Sequence, residues 1–210
     1  MHLTKEDIEQ TERIRRLNII NSITGIKPAN LIGTISEDGF PNVAIFSSLV
    51  HLGSNPALLG FILRPQHEVP RDTYLNIKAN GSYTINHVHL DHVEQAHYTS
   101  AKFSKEESEF EKCRFTEEYL FDFKAPFVAE SQLKIGMKFI EEVPIKLNQT
   151  IMMIGSIEHL VVPDHCVGPE GHLDLSKIRT AGISGLNSYY ELKKINQFPY
   201  ARAGELPDFV

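Results

Sequence analysis

The amino-acid sequence predicts a mainly β protein, an antiparallel β-barrel with helical attachments. Six or so β-rich runs follow one another through short polar turns, and long helices do not alternate with them as parallel crossovers would require. The 210 residues, 41% of them hydrophobic, suffice for one buried core, and no internal repeat or linker divides them. We therefore expect residues 1–210 to form a single domain.

The predicted elements follow from local patterns. Thr4 and Asp7 form a capping-box pattern that begins a helix, which Gly25 and Pro28 end. The apolar stripe of this helix is formed by Ile8, Ile14, Leu17 and Ile20. Apolar, β-rich runs bounded by turn residues predict strands at 29–36, 42–52, 57–63, 82–88, 133–147 and 150–163. The turn EDG favours a hairpin between the first two strands, and a short helix is expected at about 72–79.

Charge and cysteine content exclude several functional classes. A formal net charge of -6 argues against a nucleic-acid-binding protein, which normally presents a basic face. Cys113 and Cys166 form no CxxC pair, which is typical of a reducing compartment. The charged start MHLTKEDIEQTERIRR lacks the apolar core of a signal peptide, and no apolar run approaches the roughly 20 residues of a membrane span. We expect a cytoplasmic protein that contacts neither nucleic acid nor membrane.

The stretch LRPQHEVPRDTYLNI gathers positive charge at the predicted start of a helix. Arg64 and Arg71 lie beside Asp72 and Thr73, where the first backbone N–H groups of the helix lack intrahelical partners. Such a terminus with planar guanidinium groups can bind a phosphate, and Thr73 adds a hydroxyl donor. The alternative is structural, with the arginines paired to carboxylates such as Glu68. Neither a GxGxxG nor a P-loop pattern accompanies the stretch.

Two serines interrupt the apolar strand 42–52. The hydroxyls of Ser47 and Ser48 need partners in a buried strand. Either they bind a ligand, or the backbone satisfies them at a bulge.

Taken in order, these segments resemble the flavin reductase-like family of FMN-binding split barrels. The family pattern runs P…T…DG…N…(N/S)S…DPP, then a strand and K/R-D-T..N. This chain has Pro28, Thr34, EDGFPN, FSS, SNPALLGFIL and RDTYLNI in that order. Its tail, ISGLNSYYELKKINQFPYAR, is similar to that of one subgroup, and the resemblance spans most of residues 16–202. Asn55 and Ala57 depart from the usual aspartate and second proline, which affects the turn more than the chemistry.

The resemblance implies a six-stranded Greek-key barrel, a homodimer, and FMN bound near the subunit interface. Ser47 and Ser48 would contact the ribityl and phosphate part of the flavin. The phosphate side would be formed by Arg71, Asp72 and Thr73, with Arg64 nearby. Asn30 and Thr34 would face the isoalloxazine ring. Substrate-side candidates, which could shape the space above the flavin, are Tyr189, Lys193, Tyr200 and Arg202.

The implied reaction is hydride transfer from NADH or NADPH to flavin N5, followed by electron delivery to a second acceptor. Free flavin, ferric iron, a quinone and a partner oxygenase all remain open as acceptors. Residues 91–127 form a predicted helical excursion with seven aromatics between Phe103 and Phe127. A satellite hydrophobic cluster is favoured for them over a lid on the nicotinamide or substrate. The alternative function is an FMN-binding electron carrier or flavin-storage protein with little reductase activity.

A metal site of another class competes with this interpretation. In NHVHLDHVEQAH, strand alternation places His87 and His89 on one face, as in the first motif of metal-binding cupins. His92 and His97 follow closely. The closing glycine of that motif would fall on Ala101, and the second cupin block is missing. We therefore predict solvated surface histidines and no bound metal.

Overall fold

The computed structural model describes residues 1–66, 71–104 and 107–208. The helices are α1 (Lys5–Gln10), α2 (Arg13–Ser22), α3 (Asp72–Asn80), α4 (Val93–Tyr98) and α5 (Glu109–Lys112). The strands are β1 (Lys27–Pro28), β2 (Asn30–Ile35), β3 (Pro41–Phe46), β4 (Val50–Ser54), β5 (Ala57–Leu63), β6 (Ser82–His87), β7 (Glu117–Glu118), β8 (Phe127–Val128), β9 (Lys134–Ile145), β10 (Thr150–Val161), β11 (Ala181–Ser184) and β12 (Ser188–Glu191). Among the described helices, none has the length and apolar character needed to cross a bilayer.

An antiparallel barrel forms the body of the molecule, as predicted. Its hydrogen-bonded order is β3-β2-β6-β9-β10-β5-β4. The two edge strands, β3 and β4, are halves of one segment, so the same stretch of chain pairs with β2 and with β5. Counted in this way the barrel has six strands. β6 returns to lie beside β2, which gives the Greek-key order.

The predicted strand 42–52 divides at residues 47–49, where the segment leaves β2 and joins β5. At this point the Ser48 hydroxyl replaces a backbone ladder bond. It accepts from the Ile62 amide at 3.0 Å and donates to the Ile62 carbonyl at 3.1 Å. The Ser48 side chain therefore begins the pairing of this segment with β5, where the chain passes from one edge of the sheet to the other.

Alternating side chains fill the barrel interior. Its buried core includes Ile32, Phe61, Leu63, Tyr83, Ile85, Met137 and Met153, with Ile77 contributed by α3. Gly155 leaves room for the Tyr83 ring, because a Cβ at Gly155 would lie 2.3 Å from the phenol oxygen. This close approach explains why a glycine interrupts β10.

A second hydrophobic cluster lies between the outer face of the barrel and the excursion. Phe110 and Phe115 are buried there with strand residues such as Leu31 and Val43, and Phe103 packs against them. The favoured satellite cluster is thus confirmed for these three aromatics. The excursion is less helical than expected, because it contains the short strands β7 and β8 as well as α4 and α5.

The chain returns from the excursion as a strap across the barrel. The Thr84 hydroxyl donates to the Pro126 carbonyl at 2.6 Å, and the Val128 amide donates to Asn86 Oδ1 at 3.1 Å. Gly33 makes the close approach possible, since a Cβ there would lie 2.3 Å from the Pro126 oxygen.

The prediction of a single N-terminal helix from the apolar stripe is wrong, because the structure has two helices, α1 and α2. Thr11 is extended, with ψ 137°, and ends α1. Glu12 then begins α2, because its carboxylate accepts from the amides of Ile14 and Arg15 at 2.9 Å. No residue of either helix is buried, so the stripe does not face the core.

Candidate functional site

The start of α3 brings two arginines together. Partial burial of the Arg64 guanidinium and the positive charge of Arg71 both lower the pKa of Arg64. Within residues 1–66, 71–104 and 107–208, neither arginine forms a salt bridge. Glu68, the suggested carboxylate partner, lies outside the described residues. Two guanidinium groups close enough to repel each other form a local positive site in an acidic protein.

The sequence explains why α3 begins and ends where it does. Arg71 is the N-cap residue, with ψ 143°, and its amide donates to Gln66 Oε1 at 2.9 Å. Asp72 places a negative charge in the first turn, where the helix dipole favours it. Gly81, at φ 68°, ends the helix in the left-handed conformation that glycine tolerates best.

The Ser47–Ser48 pair lies close to the same end of the barrel. Ser48 is bonded to Ile62, two residues before Arg64, and Ser47 is half-buried beside it. The backbone thus satisfies the Ser48 hydroxyl, as the structural alternative supposed. The structure thus brings Arg64 near Arg71 and Ser48 near the end of β5, whereas a common site for the serines and the arginines stays a prediction.

A buried polar network, which the sequence did not reveal, connects Thr34 with Thr73. The Thr73 hydroxyl donates to Asn42 Oδ1 at 3.2 Å, and the Thr34 hydroxyl donates to the same oxygen at 3.3 Å. Asn76 Nδ2 in turn donates to Thr34 Oγ1 at 3.1 Å. The two threonines, expected at the ring and the phosphate of the flavin, are therefore neighbours. Thr73 is 3% exposed and Thr34 is fully buried. Their direct contact with a ligand stays a prediction.

Asn30 is buried and incompletely satisfied. Its Nδ2 donates to the Pro28 carbonyl at 3.1 Å, but its Oδ1 has no partner in the described part of the chain. His87 lies directly opposite on β6, and its Nδ1 also lacks a described partner. Burial lowers the pKa of His87 to about 4. Two buried, unpaired polar atoms on cross-strand partners mark a place where a ligand or water can bind.

The four tail candidates do not form one cluster. The Tyr189 hydroxyl lies 3.3 Å from His97 Nδ1 on α4, and burial raises the pKa of Tyr189 to about 12. Lys193 is exposed, Tyr200 is 85% exposed, and Arg202 donates to Glu205 at 3.2 Å. After β12 the chain continues as an exposed arm, residues 193–208, with one short 3-10 turn. A substrate-side role for these residues stays a prediction.

The histidines that suggested a cupin-like site lie in different surroundings. His87 is largely buried in the barrel, so the prediction of a solvated surface histidine is wrong at this position. His89 Nδ1 accepts from the Asp91 amide at 3.2 Å. His89 and His92 have ring centroids 6.1 Å apart. Across residues 1–66, 71–104 and 107–208, no three His, Cys, Asp or Glu side chains converge on a possible metal position.

Comparisons with known proteins agree with this architecture. A model of the "Flavin reductase like domain" matches residues 26–175. A crystal structure from Shewanella frigidimarina NCIMB 400, described as a flavin reductase with a split barrel domain, is 48% identical in sequence. That match covers 96% of this chain and 100% of the other, with a TM-score of 0.92.

Two more distant structures share the fold. Nitrilotriacetate monooxygenase component B from Bacillus cereus is 15% identical, covers 94% of this chain and 98% of its own, and gives a TM-score of 0.82. Flavoredoxin of Desulfovibrio vulgaris (Miyazaki F) is 23% identical, with coverages of 86% and 93% and a TM-score of 0.73.

Proposed function

Because this chain belongs to the flavin reductase-like family of split barrels, we propose that it is an FMN-binding oxidoreductase that takes electrons from NADH or NADPH. One structural observation carries the proposal: Arg64 lies close enough to Arg71, at the start of α3, for the two charges to interact, and Ser48 is bonded to Ile62, two residues before Arg64. A flavin phosphate is an anion of the size and charge that this arrangement can bind.

The described residues fit such a ligand in a specific way. Arg71 supplies a charged fork, and the first-turn amides of α3 supply neutral donors that point outward from the helix. The Thr73 hydroxyl already donates to Asn42, so the guanidinium groups and the backbone provide the main contacts. Ser47, beside the barrel closure, is the candidate for the ribityl chain. Asn30 is the candidate for the ring, because its buried Oδ1 is available as an acceptor.

FMN supplies the redox chemistry when it is bound, accepting a hydride and passing on electrons. The chain needs to bind and orient the flavin and to keep water away from it, and it needs no general base for a hydride transfer. The second electron acceptor is a small molecule or a partner oxygenase. The latter has support from the fold shared with nitrilotriacetate monooxygenase component B.

Binding and turnover test this proposal separately. Purified protein should be yellow or take up FMN, with saturable quenching of flavin fluorescence at micromolar or tighter affinity. NADH or NADPH should then be oxidised in the presence of FMN. Folded protein that shows no saturable quenching would refute the flavin proposal.

An FMN-binding electron carrier is the second candidate function. The fold shared with a flavoredoxin favours it. Tight FMN binding without oxidation of either nicotinamide, together with flavin that a chemical reductant can reduce, would favour the carrier over the reductase.

A two-fold homodimer in the cytoplasm completes the proposal. Strands β4, β9 and β10 expose apolar side chains outside the barrel, among them Val50, Leu52 and Val143. In the exposed arm, Ile195 is 96% and Phe198 78% exposed. Apolar surface of this extent is typical of a surface that binds another protein, and an isologous interface would cover it on both subunits.

A further inference from the structure

Helix α5 of the excursion is attached to β3 at two points. The Ser108 hydroxyl donates to the Pro41 carbonyl at 2.9 Å, and Asn42 Nδ2 donates to Glu109 Oε2 at 2.7 Å. Glu109 is half-buried, and this burial raises the pKa of its carboxyl group. The negative charge of Asp72 raises the same pKa further. The excursion therefore reaches the beginning of α3.

The bond to Glu109 fixes the orientation of the Asn42 amide. A carboxylate oxygen accepts, so it holds the NH2 end of Asn42 toward α5 and leaves Oδ1 facing the barrel side. There Oδ1 accepts from Thr34 and Thr73, which matches the two lone pairs of a carbonyl oxygen. Without Glu109 the amide could turn, and the two hydroxyls would lose their common acceptor.

The same network holds the first two turns of α3. Thr73 belongs to the first turn, and Asn76 donates to Thr34 Oγ1 one turn later. The position of Arg71, the N-cap of this helix, follows from where these turns are held. We propose that Asn42, oriented by Glu109, is a positioning residue for the phosphate-binding start of α3. The excursion, which carries Glu109, thereby contributes to the structure of the FMN site.

This inference rests on the proposed function and assigns a role to residues 91–127 within it. The excursion acts through a buried hydrogen-bond relay from α5 to α3. The relay sets the affinity for the phosphate of FMN and does not affect the affinity for the ring.

The test compares FMN with riboflavin, which lacks the phosphate, in fluorescence titrations of folded variants. Glu109→Ala should weaken FMN binding by about tenfold, as expected when roughly one hydrogen bond is lost, and change riboflavin binding by less than about twofold. Glu109→Gln keeps an acceptor for Asn42 and should bind FMN like the parent. If Glu109→Ala does not fold, Glu109→Asp, which shortens the reach to Asn42, should show the same selective loss.

Two neighbouring positions provide matched controls. Ser108→Ala removes the other attachment of α5 to β3 but leaves Asn42 oriented, so the ratio of FMN to riboflavin affinity should not change. Glu111→Ala alters an exposed carboxylate on the same helix and should have no effect. A selective FMN loss in Ser108→Ala, equal loss of both flavins in Glu109→Ala, or failure of Glu109→Gln to restore binding would overturn the positioning role.

Failure of this inference and failure of the proposed function give different results. If the parent does not prefer FMN over riboflavin, the phosphate site itself is refuted and the positioning role with it. Suppose instead that the parent prefers FMN, that Arg71→Ala abolishes this preference and that Glu109→Ala retains it. In that case only the positioning role is refuted.

Discussion

At the start of α3, Arg71 carries the charge that we expect to face the FMN phosphate. Arg71→Ala should remove a charge-assisted hydrogen bond of roughly 1.5–3 kcal/mol, which corresponds to a loss of about 10- to 150-fold in FMN affinity. Riboflavin affinity should hardly change, and Thr73→Val should shift the comparison less. Fluorescence titration with both flavins measures the effect.

Two other outcomes would contradict that contact. If both flavins bind as in the parent and stability falls by at most about 1 kcal/mol, Arg71 is a surface charge that does not contact the phosphate. If FMN and riboflavin weaken equally, Arg71 shapes the ring pocket or the local fold.

His87 should make the fold sensitive to acid. Its pKa is about 4 in the folded chain, against an ordinary value of 6.5. Between these values the unfolded chain binds a proton that the folded chain does not, so stability should fall as pH decreases from 6.5 to 4. Urea unfolding at several pH values should show this loss in the parent and a smaller one in His87→Leu. His51→Leu, at an exposed position on β4, is the control variant and should lose stability over the same pH range as the parent. An unchanged pH profile in His87→Leu would contradict the assignment.

The sequence could indicate some candidate site residues and not others. Arg71, Asp72 and Thr73 are recognisable because they begin a helix that the local sequence defines. Its N-cap pattern is at their own positions, and its C-cap is at Asn80-Gly81. Asn42 could not be found in this way. Its partners Thr73 and Glu109 lie 31 and 67 residues away, so its role exists only after the chain has folded.

Among the elements, the strap at Pro126–Val128 depends on the absence of a side chain beneath it. Gly33→Ala would place a Cβ 2.3 Å from the Pro126 oxygen and 2.5 Å from Thr84 Oγ1. We expect a loss of about 1–3 kcal/mol in the free energy of unfolding, because backbone atoms must move. Urea denaturation measures it. Gly204→Ala, where a Cβ meets no atom within 4 Å, is the control. Equal urea midpoints for the two variants would show that the strap moves to accommodate the Cβ without a loss of stability.

The element boundaries show what local patterns can and cannot predict. Apolar, β-rich runs between turn residues located β2, β5, β6, β9 and β10, because each strand packs against the interior. The division of strand 42–52 was not predictable, since a change of pairing partner leaves no mark on alternation. The N-terminal stripe was misleading for a related reason: helical spacing shows that residues share a face, but not that anything covers it.

For the whole molecule, the exposed apolar face of the barrel predicts self-association. Val50→Glu with Val143→Glu should shift sedimentation toward the monomer, because two carboxylates would be buried at the interface. Leu147→Glu, fully exposed in the turn between β9 and β10, should leave the association state unchanged. A parent protein that is monomeric at micromolar concentration and still binds FMN tightly would contradict a shared site. That residues 1–210 form a single domain stays a prediction.

The contact between Ser48 and Ile62 also means that the barrel has a seam, defined here as the junction of residues 47–49 with β5, where a side chain supplies part of the pairing. The Ile62 amide hydrogen is held by the Ser48 hydroxyl rather than by a backbone carbonyl. Its exchange with deuterium therefore reports on the parting of this seam, separately from the unfolding of the remaining ladder. Ser48→Ala should accelerate exchange at Ile62 while the amide of Met153, in the middle of β10, remains protected. If both amides accelerate together, the barrel opens as one unit and the seam has no independent motion.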